Sequence, residues 1–184
     1  MTIITFRKIT VIYLLINSIF LFTILFAKAN NEIDISAQKI FLDKDNDIIN
    51  ATGDVLIKNK KFSINSEEVI FYKEKKIIEA DKNVTVNDEY NNKYYSDNLI
   101  SNDDFSEASA KNVKIRLKDK SRIVGSILKR KEGINIIKDS QYTPCIEKNY
   151  LIDNCPGWKL KSGTVYHDEK TKTMHYDHST LYIL

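Results

Sequence analysis

Val113-Lys114-Ile115-Arg116-Leu117-Lys118 alternates apolar and basic residues without a break, the period of a β-strand with one dry face and one wet face. The neighbouring sequence keeps this character less cleanly. Val55-Leu56-Ile57 and Thr85-Val86 carry the strand residues, whereas Ala80-Asp81-Lys82-Asn83-Val84 breaks the alternation and predicts a β-bulge. Small residues recur at Ala37, Ser66, Ser96, Ser126 and Ser162, with a second marker at Ala51, Ala80 and Tyr176. Each repeat reads as strand, polar turn, strand. The turns fall at Asp43–Asn46, Lys73–Lys75, Asn102–Asp104 and Asp168–Lys170, in residues that accept tight-turn geometry. After residue 29 no stretch sustains the i, i+3, i+4, i+7 spacing of a helix. The body is therefore all-β, built from stacked antiparallel strand pairs. Such a stack has exposed edge strands unless it closes on itself, and its continuous Ile/Val/Leu face is ordinary core if closed and an apolar trough if open.

Residues 1–29 read differently. Arg7 and Lys8 precede an uncharged apolar run from Ile9 to Phe26, and Ala27-Lys28-Ala29 follows. This is the pattern of a secretory signal peptide, and the run also stands at the short limit for a membrane anchor. Of the 28 Lys and Arg, three lie in this segment and none of the 25 acids does, so residues 30–184 are formally neutral. That balance gives no global attraction to nucleic acid, and the length suits one domain with its own core. Export would put the two cysteines in an oxidising compartment, where a disulfide is favoured.

The repeat is interrupted once, by a loop at residues 142–158 that holds Pro144, Cys145, Cys155, Pro156 and Trp158. Proline cannot donate to a strand ladder, which places the segment between strands. A Cys145–Cys155 disulfide would close a short loop and contribute about 2–3 kcal/mol.

Two segments resemble the OstA-like domains of the lipopolysaccharide-transport proteins LptA, LptC and LptD. Ala37-x-x-Ile40 through Ala51-x-Gly53-x-Val55 resembles the OstA repeat. Tyr142-Thr-Pro-Cys145 with Cys155-Pro156-x-Trp158-x-Leu160-x-Ser162-x-x-Val165 is similar to the periplasmic domain of LptD, and His167-Asp168-x-x-Thr171 and Tyr176 to Leu181 continue the likeness. The resemblance covers residues 30–184. It implies a twisted, V-shaped β-jellyroll in the periplasm of a Gram-negative cell, associated with the outer membrane. It also implies that lipopolysaccharide passes along its apolar interior and that edge strands pair with an LptA-like bridge protein. An outer-membrane barrel and its lipoprotein plug are further implied partners. The sequence stops at Leu184, where the barrel of an LptD protein would begin, so the expectation is a fragment or a shortened form. Cys145 and Cys155 would then pair with each other or with another protein. The relatives leave two other readings open, an anchored LptC-like protein and a soluble LptA-like one. A structural secreted β-repeat protein without lipid cargo is the alternative of another class.

Alternation nominates Val55, Ile57, Ile64, Phe71, Val84, Val86, Val113, Ile115 and Leu117 as the lipid-facing set. Lys114, Arg116, Lys118, Lys120 and Arg122 share one face of a predicted strand pair and suit either solvent or the phosphates of a lipopolysaccharide head group. His167, His175 and His178 read as surface histidines of a hairpin, since an odd separation puts the last two on opposite faces. Glu67 and Glu68, adjacent on a strand, are likewise expected on opposite faces. Tyr90, Tyr94 and Tyr95 read as tyrosines flanking a hairpin. No motif for a nucleophile, a phosphate loop or a metal site is present in recognisable context, so the sequence implies no enzyme, cofactor or metal centre.

Overall fold

The computed structural model describes residues 33–144 and 157–183. The predicted signal segment and both cysteines lie outside them. Eleven strands form one antiparallel sheet: β1 (Asp34–Ser36), β2 (Lys39–Asp43), β3 (Ile48–Lys58), β4 (Phe62–Tyr72), β5 (Ile77–Asp88), β6 (Lys93–Asn102), β7 (Glu107–Arg116), β8 (Arg122–Lys131), β9 (Ile134–Thr143), β10 (Trp158–Asp168) and β11 (Thr173–Ile183). From β3 onward each strand pairs with the next in sequence. β1 and β2 lie end to end on the outer side of β3 and act as one interrupted edge strand. The topology is a meander, so every connection is a local turn.

Long strands in this sheet are bent near their middles. The pairing registers shift between Thr52 and Val55, between Asn65 and Glu68, and between Asp81 and Val84. Left-handed residues occupy the same level on every second strand: Gly53-Asp54 in β3, Lys82-Asn83 in β5, Asn112 in β7, Asp139 in β9 and His178 in β11. Each extra residue twists the strand and resets which parity faces inward. Within β4 the buried positions accordingly change from Phe62, Ile64 and Ser66 to Val69. The predicted bulge at residues 80–84 belongs to this column.

The small-residue repeat marks the other half of the same bend. Ser66, Ser96, Ser126 and Ser162 sit at mid-strand in β4, β6, β8 and β10, while Ala37 lies where β1 gives way to β2. Outside the bend, polar side chains bridge neighbouring strands: Gln38 to Asp54, Asn83 to Glu67, Lys82 to Glu68, Asn112 to Asp97 and Ser126 to Asp139. Glu67 and Glu68 are therefore both on the outer side, correcting the expectation of opposite faces. The bulge removes the alternation on which that expectation rested. Gly125 is fixed by crowding at this level, because a Cβ there would strike the Ile137 side chain and lie 2.8 Å from the Lys138 carbonyl oxygen.

Bending divides the sheet into two arms whose inner faces share one core. Ala51, Val69, Ile78, Ala80, Leu99, Ala108, Ala110, Leu128, Ile137 and Val165 come from one arm. Val55, Ile57, Phe62, Ile64, Val84, Val86, Tyr94, Val113, Ile115, Leu117 and Ile123 come from the other. Burial of each Val, Leu or Ile contributes about 1.5–3 kcal/mol, which is why the alternating positions hold the two arms together.

Candidate functional site

The interior is the site that the sequence nominates. Val55, Ile57, Ile64, Val84, Val86, Val113, Ile115 and Leu117 are buried in the core. Phe71 is partly buried against it. Eight of the nine lie in one arm, and Phe71 lies past the register shift of β4 in the other. Between the central strands the arms press against each other, so the set forms packed core there.

Where the open margins of the arms meet, the inner face turns polar. Arg130 of β8 and Glu169, just after β10, form a bidentate pair: Arg130 Nη1 donates to Glu169 Oε1, and Nη2 donates to Oε2 at 2.8 Å. The Arg130 and Glu169 side chains are 7% and 1% exposed. Arg130 Nε donates to the Phe105 carbonyl oxygen at 2.9 Å, and its guanidinium lies over the Phe105 ring, 4.9 Å from the centroid. Tyr94, from the opposite arm, donates to Glu169 Oε1 at 2.6 Å and stands 3.0 Å from Asp88 Oδ2. Asn135 of β9 donates to Glu169 at 2.7 Å and accepts from Arg130 at 3.2 Å. Asp88 also holds the amide and side chain of Asn92, which in turn accepts from the Lys118 amide. This is a latch of buried groups reaching from arm to arm.

Its electrostatics follow from burial and pairing. Burial pushes the Glu169 carboxyl up, but the Arg130 hydrogen bond and charge, with Tyr94 and Asn135, outweigh it and hold the group below the ordinary carboxylate range. Burial opposes the Arg130 charge, and Glu169 more than offsets that. Burial, with Glu169 and Asp88 nearby, pushes the Tyr94 phenol well up. His167 is buried, with Nδ1 3.5 Å from Asn135, and desolvation lowers its pKa.

Sequence reasoning missed this latch and read two of its neighbours wrongly. His167 is not a surface histidine, because it occupies the inward position two residues after Val165. Tyr94 is not merely a flanking residue, since it faces inward while Tyr95 faces out. The available signal was parity: Arg130 follows Leu128 by two and Asn135 precedes Ile137 by two, so polar residues stand where the pattern demands apolar ones.

At the β11 end the interior surfaces. Tyr142, Met174 and Tyr176 are partly buried against the core, and Tyr142 packs 5.8 Å from Trp158 and 6.1 Å from Tyr176, centroid to centroid. Burial, with Tyr142 alongside, pushes the Tyr176 phenol up to about 12. Leu160 pairs with Leu181, and Trp158 with Ile183. Leu181 is 55% and Ile183 83% exposed. Among the described residues nothing covers this apolar end, and β11 has no partner on its outer side. β2 presents Ile40, Phe41 and Leu42, all exposed, at the other edge.

The remaining candidates do not converge. Lys114, Arg116 and Arg122 project from the outer face, whereas Lys118 and Lys120 lie at a turn. His175 pairs across to Tyr166, and His178 sits at the β11 bulge with Nδ1 2.9 Å from Asp177. Among the described residues no group of three or more His, Cys, Asp or Glu is placed to hold a metal ion.

Residues 18–182 match the model of a family described as periplasmic copper-binding protein, NosD. That is a β-helix family, whereas the strands described here pair antiparallel throughout. The described histidines and carboxylates do not fit a copper centre, since His167 is bound within the latch while His175 and His178 are exposed on β11. No curated protein sequence matches the chain. Among solved structures it is similar to LptH of Pseudomonas aeruginosa, described as the LptA-homologous periplasmic component of the lipopolysaccharide transport device. The two share 10% identity over 84% of this chain and 96% of that one, with a TM-score of 0.35. A score at that level carries no argument for function.

Proposed function

The chain belongs to the family of periplasmic copper-binding proteins, NosD, and from its own sheet we propose that it acts in the periplasm as a lipopolysaccharide-binding bridge domain of the LptD-like kind. One observation carries this reading: the apolar interior runs the length of the strand stack and, among the described residues, emerges uncovered at β10 and β11. Apolar side chains there can replace water around acyl chains, which lowers the cost of moving a lipid through an aqueous compartment. The unpaired outer side of β11 offers backbone donors and acceptors to a similar edge strand, so a bridge protein would dock by strand addition. Soluble LptA-like and anchored LptC-like roles use the same interior and differ only in what holds the domain at a membrane.

The test is site-specific photocrosslinking in Gram-negative cells, with a benzophenone side chain at Tyr176 on the inner face or at His175 on the outer face. The expected result is a lipopolysaccharide adduct from position 176 and none from 175. Equal adducts at both, or none at either, refute the reading. A domain that crosslinks only to protein at both positions would instead be a structural β-repeat.

A further inference from the structure

The outward side of the arm that carries residues 93–96, 113–116 and 122–125 holds a second feature, separate from the interior. Register places Lys93 directly beside Arg116, and Arg116 beside Arg122. One step along the strands, Tyr95 stands beside Lys114, Lys114 beside Val124, Val124 beside Gln141, and Gln141 beside Lys161. Neighbouring strands are about 4.8 Å apart, so these cations form two ordered rows rather than a scatter. A cavity of about 280 Å³ opens between them, walled by Tyr95, Lys114, Arg116, Arg122 and Val124. Tyr95 is 39% exposed.

No carboxylate of the described residues projects into these rows. Asp97 and Asp139 lie at the bend and are taken by Asn112 and Ser126. Asp119 lies in the turn and is taken by Ser121. Among the described residues, charge of one sign is gathered on this surface, on a chain that is neutral beyond its first 29 residues. At the far side of the facet, Lys159 and Lys161 lie 5.7 and 5.3 Å from the centroid of the Tyr182 ring.

We propose that this facet binds an anionic saccharide, its phosphate or carboxylate groups on Lys93, Lys114 and Arg116 and a sugar ring against Tyr95. The chemistry favours a saccharide over a lipid bilayer. Only Val124 adds an exposed aliphatic side chain to the cavity wall, too little to anchor in an acyl layer. Cations beside an aromatic face suit alternating charge and ring instead. Arg guanidinium groups engage phosphate or carboxylate oxygens in bidentate fashion, and Lys supplies point charge.

The experiment uses calorimetric titration of a heparin-derived hexasaccharide, with neutral dextran and phosphatidylglycerol vesicles as alternative ligands. The wild type should bind the hexasaccharide and not dextran. K93Q/K114Q/R116Q should weaken binding at least tenfold and reduce the salt slope by roughly 2–3, one unit or slightly less per lost contact. Y95S should weaken binding severalfold at an unchanged salt slope, a split that a purely electrostatic surface would not show. The triple variant should melt like the wild type, because all three side chains are exposed. Vesicle binding without hexasaccharide binding overturns the proposal in favour of a membrane surface. So does hexasaccharide binding that the triple variant leaves intact. Interior crosslinking at Tyr176 is independent of every one of these outcomes.

Discussion

Neutralising Glu169 tests the latch most directly. In E169Q the side chain keeps its shape, and an amide oxygen still accepts from Tyr94 and Asn135, but Arg130 retains a positive charge in a site where it is 7% exposed. Breaking a buried ion pair from one side costs about 3–5 kcal/mol, mostly from the uncompensated charge. With a urea m-value of about 2 kcal/mol/M for a domain of this size, the midpoint should fall by about 2 M. R130M should lose a similar amount. Replacing both, as R130M/E169L, removes both charges and leaves the Tyr94 and Asn135 side chains and the Phe105 carbonyl oxygen each short of one partner but no charge unpaired, a smaller loss at about 1–3 kcal/mol. The double variant should therefore be more stable than either single one. Equilibrium urea unfolding followed by circular dichroism measures all four proteins. An E169Q loss under about 1 kcal/mol, or a double variant as unstable as the summed singles, refutes the idea of a coupled buried pair.

Five further outcomes follow from the structure. Burial holds His167 below its ordinary 6.5 despite Glu169 and Asp88 drawing it up, so the unfolded chain takes its proton first. Stability should be full above about pH 6.5 and decline as pH falls towards the lowered folded value, and H167Q should flatten that decline in thermal melts between pH 7 and 5. Glu169 is lowered too, from 4.5, so its share persists above about pH 4.5 and is lost only in stronger acid. G125A should cost about 1–3 kcal/mol by overpacking against the Ile137 side chain, read by urea midpoint. I115D should lose its folded circular-dichroism signal, because an unpaired carboxylate in a site that is 1% exposed is among the most costly of substitutions, whereas I115V should lose about 0.5–1.5 kcal/mol and stay folded. K120G should gain about 0.5–1 kcal/mol in the same assay, because Lys120 holds a left-handed turn conformation at φ 71 that glycine adopts freely.

How much the sequence shows depends on which interactions are periodic. Val113 to Lys118 is legible because every inward position is apolar, and the repeat of small residues is legible because Ser66, Ser96, Ser126 and Ser162 recur at the level where the strands bend. Glu67 and Glu68 escape the alternation because the extra residue lies on the facing strand, where residues 82–84 of β5 oppose only two residues of β4. The latch was hidden for another reason. Arg130, Asn135 and Glu169 belong to three strand ends separated by up to 39 residues, and only the sheet register brings them together. Tyr94 adds a partner 75 residues away. Buried polar groups interrupt a hydrophobic pattern, and taken singly each interruption resembles a solvated strand end.

The latch also decides where a lipid chain could enter. Separating the arms at the central strands would expose Arg130 and Glu169 and part the Tyr94 bond that spans them, along with the packing of Val86, Ile115 and Ile123. That is a loss comparable with the whole stability of a domain, about 5–15 kcal/mol. At β10 and β11 no such obstacle stands among the described residues, since Leu181 and Ile183 lie exposed and Tyr142, Trp158 and Tyr176 form a ring cluster that rotamer changes can admit a chain past. Entry from the β11 end, with cargo held against the last strands, therefore requires far less rearrangement than a lateral opening. A bismaleimide bridge between cysteines introduced at positions 89 and 170, which line one cavity from the two arms, separates the two routes. Lipid crosslinking at Tyr176 should persist in the bridged protein, and its disappearance on bridging would mean that the arms must part.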